Sequence, residues 1–468
     1  MFKRATGMLL ALILFAACGT TGGGGTPTTD TPAANQQGET ANATDTPPAD
    51  TSDLPVNIRV THDFIGNEHA PIELVWQITP MHFLTNANPA LGEHFEPLMR
   101  EWAEQNPHVQ IRVNLASANI MEQMALTLVE AAAGNAPDMA NIDSFVFMNF
   151  HPFAQPITDV FEEHGLSIDD YYDFMRPVMM PDDEILGMWY TTDVRFMLYR
   201  KDLIDTPPRT WDEVLSISEE LLAQNIEPFM FVGGRDEGAM SAQINFFWGQ
   251  GGQLVDAAGN SIIGEEPNRQ FLINQMEFVR EGVERGFIPP RVVGFNAEPD
   301  ILGEAASGMV GMWITGSWMY NQMRSAIGDE EFHRLWGVAP IPMREAGQHS
   351  TMAGGWIAAV FSQDDEKRRL AADFWAHVYT NDNAAPGLSE IGGWLPTRMS
   401  VFDEAFFQAD PVLLFFRDEA SRANIRPTTP AYSAISTAMQ IMVSDVVTGE
   451  FTPEEAVDRA VAAALAGS

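Results

Sequence analysis

Two hydrophobic rhythms alternate along the chain. Residues 72–78, IELVWQI, form a short apolar run that predicts a strand. Phe95, Leu98, Met99 and Trp102 then recur at three- and four-residue spacing, which marks one face of a helix. Pro107 closes that helix, and Val109, Ile111, Val113 and Leu115 alternate as the next strand. A second helix is expected from about Asn119 to Ala133 with Ile120, Met124 and Leu128 on one face, followed by a short strand over 139–142. Strand, helix, strand, helix, strand needs right-handed crossovers and a parallel sheet. Ligands of such sheets sit beyond the carboxyl ends of the strands. Here those ends are Gln77 to Thr79, Ala116 to Asn119, and Asp143 to Ser144.

Later segments carry clear helix starts. In PPRTWDEV, Thr210 and Glu213 form a capping box, and Val214, Ile217 and Leu221 should face inward. A helix begins near Ser362, and Thr452 with Pro453 opens a last one. The stretch 308–318, GMVGMWITGSW, is apolar or glycine on both alternations up to Ile314, as in a strand buried on both faces. Thr315 or Ser317 is placed to cap a following helix whose first exposed side chain is Trp318. Core packing does not require a tryptophan at that mouth.

The amino terminus differs in composition from the rest of the chain. Lys3 and Arg4 precede an apolar run at 8–17 and small residues before Cys18, the lone cysteine of 468 residues. This is a secretory signal, too short for a permanent membrane span. Ala16 and Ala17 before Cys18 resemble a bacterial lipobox, with Phe15 where leucine is usual. In lipoproteins that cysteine becomes the lipidated amino terminus. Residues 19–54 hold almost no large apolar side chains and read as a disordered tether after Cys18. The net charge of −38 becomes −40 once the signal leaves, which disfavours nucleic acid as a partner. About 400 residues remain for folding, enough for two lobes.

No HExxH, CxxC, GxSxG or GxxxxGK[ST] motif occurs, and the ten histidines lack ligand spacing. The expectation is therefore no metal, no cofactor and no enzyme. Carboxylate neighbours such as Glu162–Glu163 and Asp182–Asp183 read as solvated faces or turns rather than a glycosidase dyad. Aromatic residues, by contrast, gather beside turns. Trp76, Trp102, Trp211, Trp313 and Trp375 lie inside elements and read as core, whereas Trp318, Trp356 and Trp394 stand at glycine-flanked ends. Aromatic faces there suit the C–H faces of pyranose rings, with nearby polar groups for the hydroxyls.

Eight collinear pieces carry a resemblance over nearly the whole globule. They are APD (136–138), FMLYRKDLIDTPPRTWDEVL (196–215), ASGMVGMWITGSW (306–318), WGVAPIPM (336–343), GGWIAAVF (354–361), GWLPTR (393–398), RPTTPAYSAI (426–435) and GEFTPEEAVDRA (449–460). Together they resemble the family 1 extracellular solute-binding proteins of ABC importers, the maltose- and sugar-binding members in particular. Arg200 departs from the usual asparagine of that family. The resemblance implies an α/β, two-lobe periplasmic-binding-protein-like fold with discontinuous lobes and a hinge. Lobe one would be 70–192 plus 355–402, and lobe two 196–353 plus 408–468. It implies that Asp193 accepts sugar hydroxyls and that Trp318 and Tyr432 are platforms. Asp143, Gln77 and Asn119 at strand ends, with Trp356, Trp394 and Arg398, complete the expected ligand set. A monomer is expected that binds a carbohydrate for permease subunits, anchored outside the cytoplasm, in the periplasm or at the cell surface, through Cys18. A glycerol phosphate ester or a polyamine is the alternative solute, the former needing Arg195, Arg398 or Arg426 at the cleft. A glycan-acting hydrolase is the alternative class.

Overall fold

β1 (Ile58–Val60) and β2 (Phe64–Asn67) form an antiparallel hairpin ahead of the first strand that periodicity marks. The computed structural model that reveals it describes residues 56–117, 119–382, 384 and 387–467. The signal segment, Cys18 and the tether lie outside the described residues. β3 (Ile72–Ile78) and β4 (Val109–Leu115) pair in parallel, and β5 (Met139–Asp143) joins the other edge of β3, also parallel. The helices Pro89–Gln105 and Ile120–Ala132 make the two crossovers.

The 3.6-residue pattern placed these helices well but misjudged the rotation of the second. Gln123, Met124, Thr127 and Ala131 face inward, while Ile120 and Leu128 are half-buried. Thr127 is inward because its hydroxyl accepts from Gln77 Nε2 at 2.8 Å, so a polar contact fixes the face.

β6 (Gly187–Arg200) is the strand that joins the halves of the molecule. Its first part pairs antiparallel with β10 (Met352–Val360), and its second part pairs with β8 (Val310–Gly316) and β9 (Trp336–Ala339). The change of partner falls between Val194 and Arg195. β7 (Glu227–Met230) extends β8 in parallel, β10 also pairs with β5, and β11 (Asn424–Ile425) adds to the start of β10. Among the described residues the strand order is therefore β1-β2-β4-β3-β5-β10-β6-β8-β7. The result is a two-lobe α/β fold in which β6 runs from one group of strands into the other.

The five tryptophans assigned to core are all buried. Trp76 meets Phe83, Phe374 and Trp375 edge-on with centroids 5.1–5.4 Å apart, the favoured aromatic arrangement. The capping box at Thr210 is present in full, and Thr452 caps the last helix. Two caps differ from expectation. Asp364, not Ser362, accepts from Lys367 N–H and opens the helix Asp365–Trp375. Neither Thr315 nor Ser317 caps the helix Met319–Ile327: Thr315 lies inside β8, and Ser317 Oγ receives Val194 N–H at 3.3 Å. That serine ties the mouth of the helix to β6 instead.

Candidate functional site

The change of strand partner sets up the site. Gly354 of β10 lies opposite Asp193 of β6, and Trp356 lies opposite Asp143 at the end of β5. A Cβ on Gly354 would stand 3.1 Å from Arg426 Nη2 and 3.5 Å from Asp193 Oδ2. Bare backbone here lets two buried ionic groups meet.

In the first group, the Arg426 guanidinium donates to Glu237 Oε1 at 2.9 Å and approaches Asp143 Oδ1 at 3.4 Å. It lies 4.5 Å from the Phe145 ring centroid. The Tyr432 hydroxyl donates to the same Glu237 oxygen as Arg426, and Ser436 donates to the other at 2.6 Å. In the second group, Arg195 donates to Asp193, has its Nε 3.7 Å from Glu298, and covers the Trp318 ring at 4.6 Å. Four carboxylates thus accompany two guanidiniums, all largely shielded from solvent. Burial pushes the Asp143 carboxyl up to about 6 despite the opposing pull of Arg426, and burial raises Glu298 as well.

The aromatic candidates divide by how glycine seats them. The Trp318 ring folds back over Gly316, whose Cβ would come within 2.2 Å of it, and Trp394 folds over Gly392 in the same way. A glycine two residues before the tryptophan is thus the seat of each ring. Both rings are half-buried, so Trp318 is not the exposed side chain its place at the helix mouth predicts: Gly316 and Arg195 shield it. Trp356 differs: it stands inside β10, not at an element's end, and is buried. It meets His82 edge-on at 5.2 Å, and His82 meets Trp394 at 4.5 Å. His82 Nδ1 lies 2.7 Å from the Tyr190 hydroxyl, and complete burial lowers its pKa to about 3, so the imidazole is neutral.

Asp193, Asp143, Tyr432 and Trp318 therefore come together around Gly354 and the two arginines, with Trp356 and Trp394 in an adjoining aromatic group. Tyr432 is almost fully buried with its hydroxyl on Glu237, so its exposed face is small. The other three candidates make different contacts. Asn119 caps the helix Ile120–Ala132 by accepting from Glu122 N–H at 2.9 Å. Gln77 holds Thr127, and Arg398 pairs with Asp382 beside a small cleft lined by Tyr190, Tyr379 and Leu395. Sequence reasoning overlooked His82, Glu237 and Glu298. Glu237 opens the helix Glu237–Trp248, where an acidic residue is ordinarily explained by the helix dipole. Among the described residues, no cluster of three metal-ligating side chains occurs, and no helix is long and apolar enough to cross a membrane.

Comparison with known proteins adds to this geometry. A family model described as bacterial extracellular solute-binding protein matches residues 98–414. An arabinooligosaccharide-binding protein of Halalkalibacterium halodurans is 25% identical over 400 residues, covering 79% of this chain and 86% of its own. The maltodextrin-binding protein of Bacillus subtilis is 21% identical, with the same two coverages of 79% and 86%. The structure of maltose-bound MalE3 from T. maritima superposes with a TM-score of 0.71 at 20% identity, covering 84% of this chain and 98% of that one.

Proposed function

The chain belongs to the bacterial extracellular solute-binding proteins, and from that membership we propose that it captures a carbohydrate and delivers it, unaltered, to the permease subunits of an ABC importer. The observation that carries the carbohydrate reading is the composite at the strand exchange. The half-buried Trp318 indole lies under the Arg195 guanidinium, which is paired with Asp193, so a solute that shifts this guanidinium meets an apolar face with acceptors and donors beside it. The relatives named for arabino-oligosaccharides and maltodextrin support it.

The two lobes would comprise 70–192 plus 355–402 and 196–353 plus 408–468. The change of partner along β6 at Val194 and Arg195 supports that division. The solute would lie between them, against Trp318, Asp193 and Asp143, with Trp394, Trp356 and Tyr432 backing the walls. Gln77, Asn119 and Arg398 would contribute only after leaving their present partners. The protein would act as a monomer and without catalysis.

A phosphate ester fits less well. The three guanidiniums considered for it, Arg195, Arg398 and Arg426, are each already paired with carboxylates. The excess of carboxylate over guanidinium does favour a second reading, an amine-bearing solute such as a polyamine. A thermal-shift screen over mono- and oligosaccharides and polyamines separates the two. A ligand at a hundred times its Kd adds about 2.7 kcal/mol to stability. The expected result is a raised melting point with an oligosaccharide; a response to polyamines alone would replace the carbohydrate reading.

Family membership puts the protein outside the cytoplasm, and the sequence around Cys18 supports a lipid anchor there. Cys18→Ser should move the protein from the membrane fraction to the soluble extracytoplasmic fraction with its solute affinity intact. Retention of the variant on membranes would refute the anchor.

A further inference from the structure

The helix Met319–Ile327 begins directly after Trp318, and its third residue does something the solute site does not require. Asn321 Nδ2 reaches across to two backbone carbonyls, Glu390 O at 3.1 Å and Ser389 O at 3.3 Å. The two ends of this contact belong to different lobes in the division given above, on which the inference rests. The same seam is tightened by Gly393. Its φ of +82° favours glycine, and a Cβ there would lie 3.2 Å from Asn321 Cβ and 3.3 Å from Trp318 O. Asn321 is half-buried. Water can therefore replace its contacts when the seam opens, which keeps the cost of opening small.

We propose that Asn321 is a latch that holds the lobes together at the Trp318 end of the cleft and sets how much of the protein is closed before solute arrives. Another interlobe tie, Arg426 to Asp143, is buried and charged and so resists separation differently. Asn321, by contrast, uses neutral hydrogen bonds to carbonyls that stay in place whatever side chains vary around them. Apparent affinity scales with the fraction of protein in the competent state, so a latch acts on affinity without touching solute. Each of its two neutral hydrogen bonds shifts such an equilibrium by about 2- to 12-fold.

The test uses Asn321→Ala and Asn321→Asp in the full-length protein, read first by small-angle scattering without solute. Both variants should keep the wild-type melting point but show a larger radius of gyration. Asn321→Asp should exceed Asn321→Ala, because its carboxylate faces two carbonyl oxygens. Any oligosaccharide that binds wild type should bind Asn321→Ala more weakly, by at least about 2-fold, the lower bound for losing one such bond. A sugar-free radius equal to that of wild type overturns the latch, even if affinity falls, because Asn321 would then be a solute contact. This first readout needs no ligand, so it stands or falls separately from the carbohydrate reading.

Discussion

Arg426→Met is expected to lower stability by about 3–5 kcal/mol, the cost of removing one partner from a buried ionic group. The loss comes less from the missing attraction than from what remains. Asp143 and Glu237 would stay shielded from water with their common cation gone, and Phe145 would lose the group over its ring. The pH dependence gives the sign. Burial already pushes Asp143 up to about 6, and Arg426 is the largest influence holding it down. Removing the arginine raises that value further. A carboxyl raised in the folded state favours folding at low pH, and this contribution is lost as pH rises through the folded pKa. The variant should therefore be closer to wild type near pH 5 than near pH 7.5. Chemical denaturation of both proteins at the two pH values checks this. A uniform deficit would mean that Arg426 acts through packing alone.

The second large effect concerns Trp318. Stacking on an indole contributes about 0.5–1.5 kcal/mol beyond area, and the area itself about 1.5–3 kcal/mol. Trp318→Ala should weaken solute binding by about one to three powers of ten. The half-buried ring also rests on Gly316 and under Arg195. Some loss of sugar-free stability is therefore expected, about 1–2 kcal/mol from the cation–π contact and lost packing, against about 3–5 kcal/mol for a core tryptophan. Titration and melting of the same variant separate the roles. A core-sized loss with unchanged affinity per folded molecule would remove Trp318 from the site.

Much of the fold could be read locally. The strand 72–78, the helix after it and the Thr210–Glu213 capping box depend on neighbours within a few residues, and the structure has all three. The hairpin of β1 and β2 escaped because its strands are three and four residues long and carry little hydrophobic pattern. Trp318 and Trp394 stood out because their glycines are local seats for the rings. Trp356 looked the same in sequence yet lies within β10, since pairing on both edges carries that strand through its glycines. The ionic groups were the least legible part. Arg426 meets Glu237 across 189 residues of sequence and Asp143 across 283. No periodicity links residues so far apart. Only the fold, which brings β5, β6 and β10 side by side at Gly354, makes them one site.

Stoichiometric capture of a carbohydrate without turnover is what separates a binding protein from a glycan-acting hydrolase. Isothermal titration with an arabino- or malto-oligosaccharide, followed by chromatography of the sugar released on denaturation, tests it in one sample. One equivalent should bind per chain and be recovered at its original length. Shortened sugar, or no saturable binding by any oligosaccharide, would contradict it.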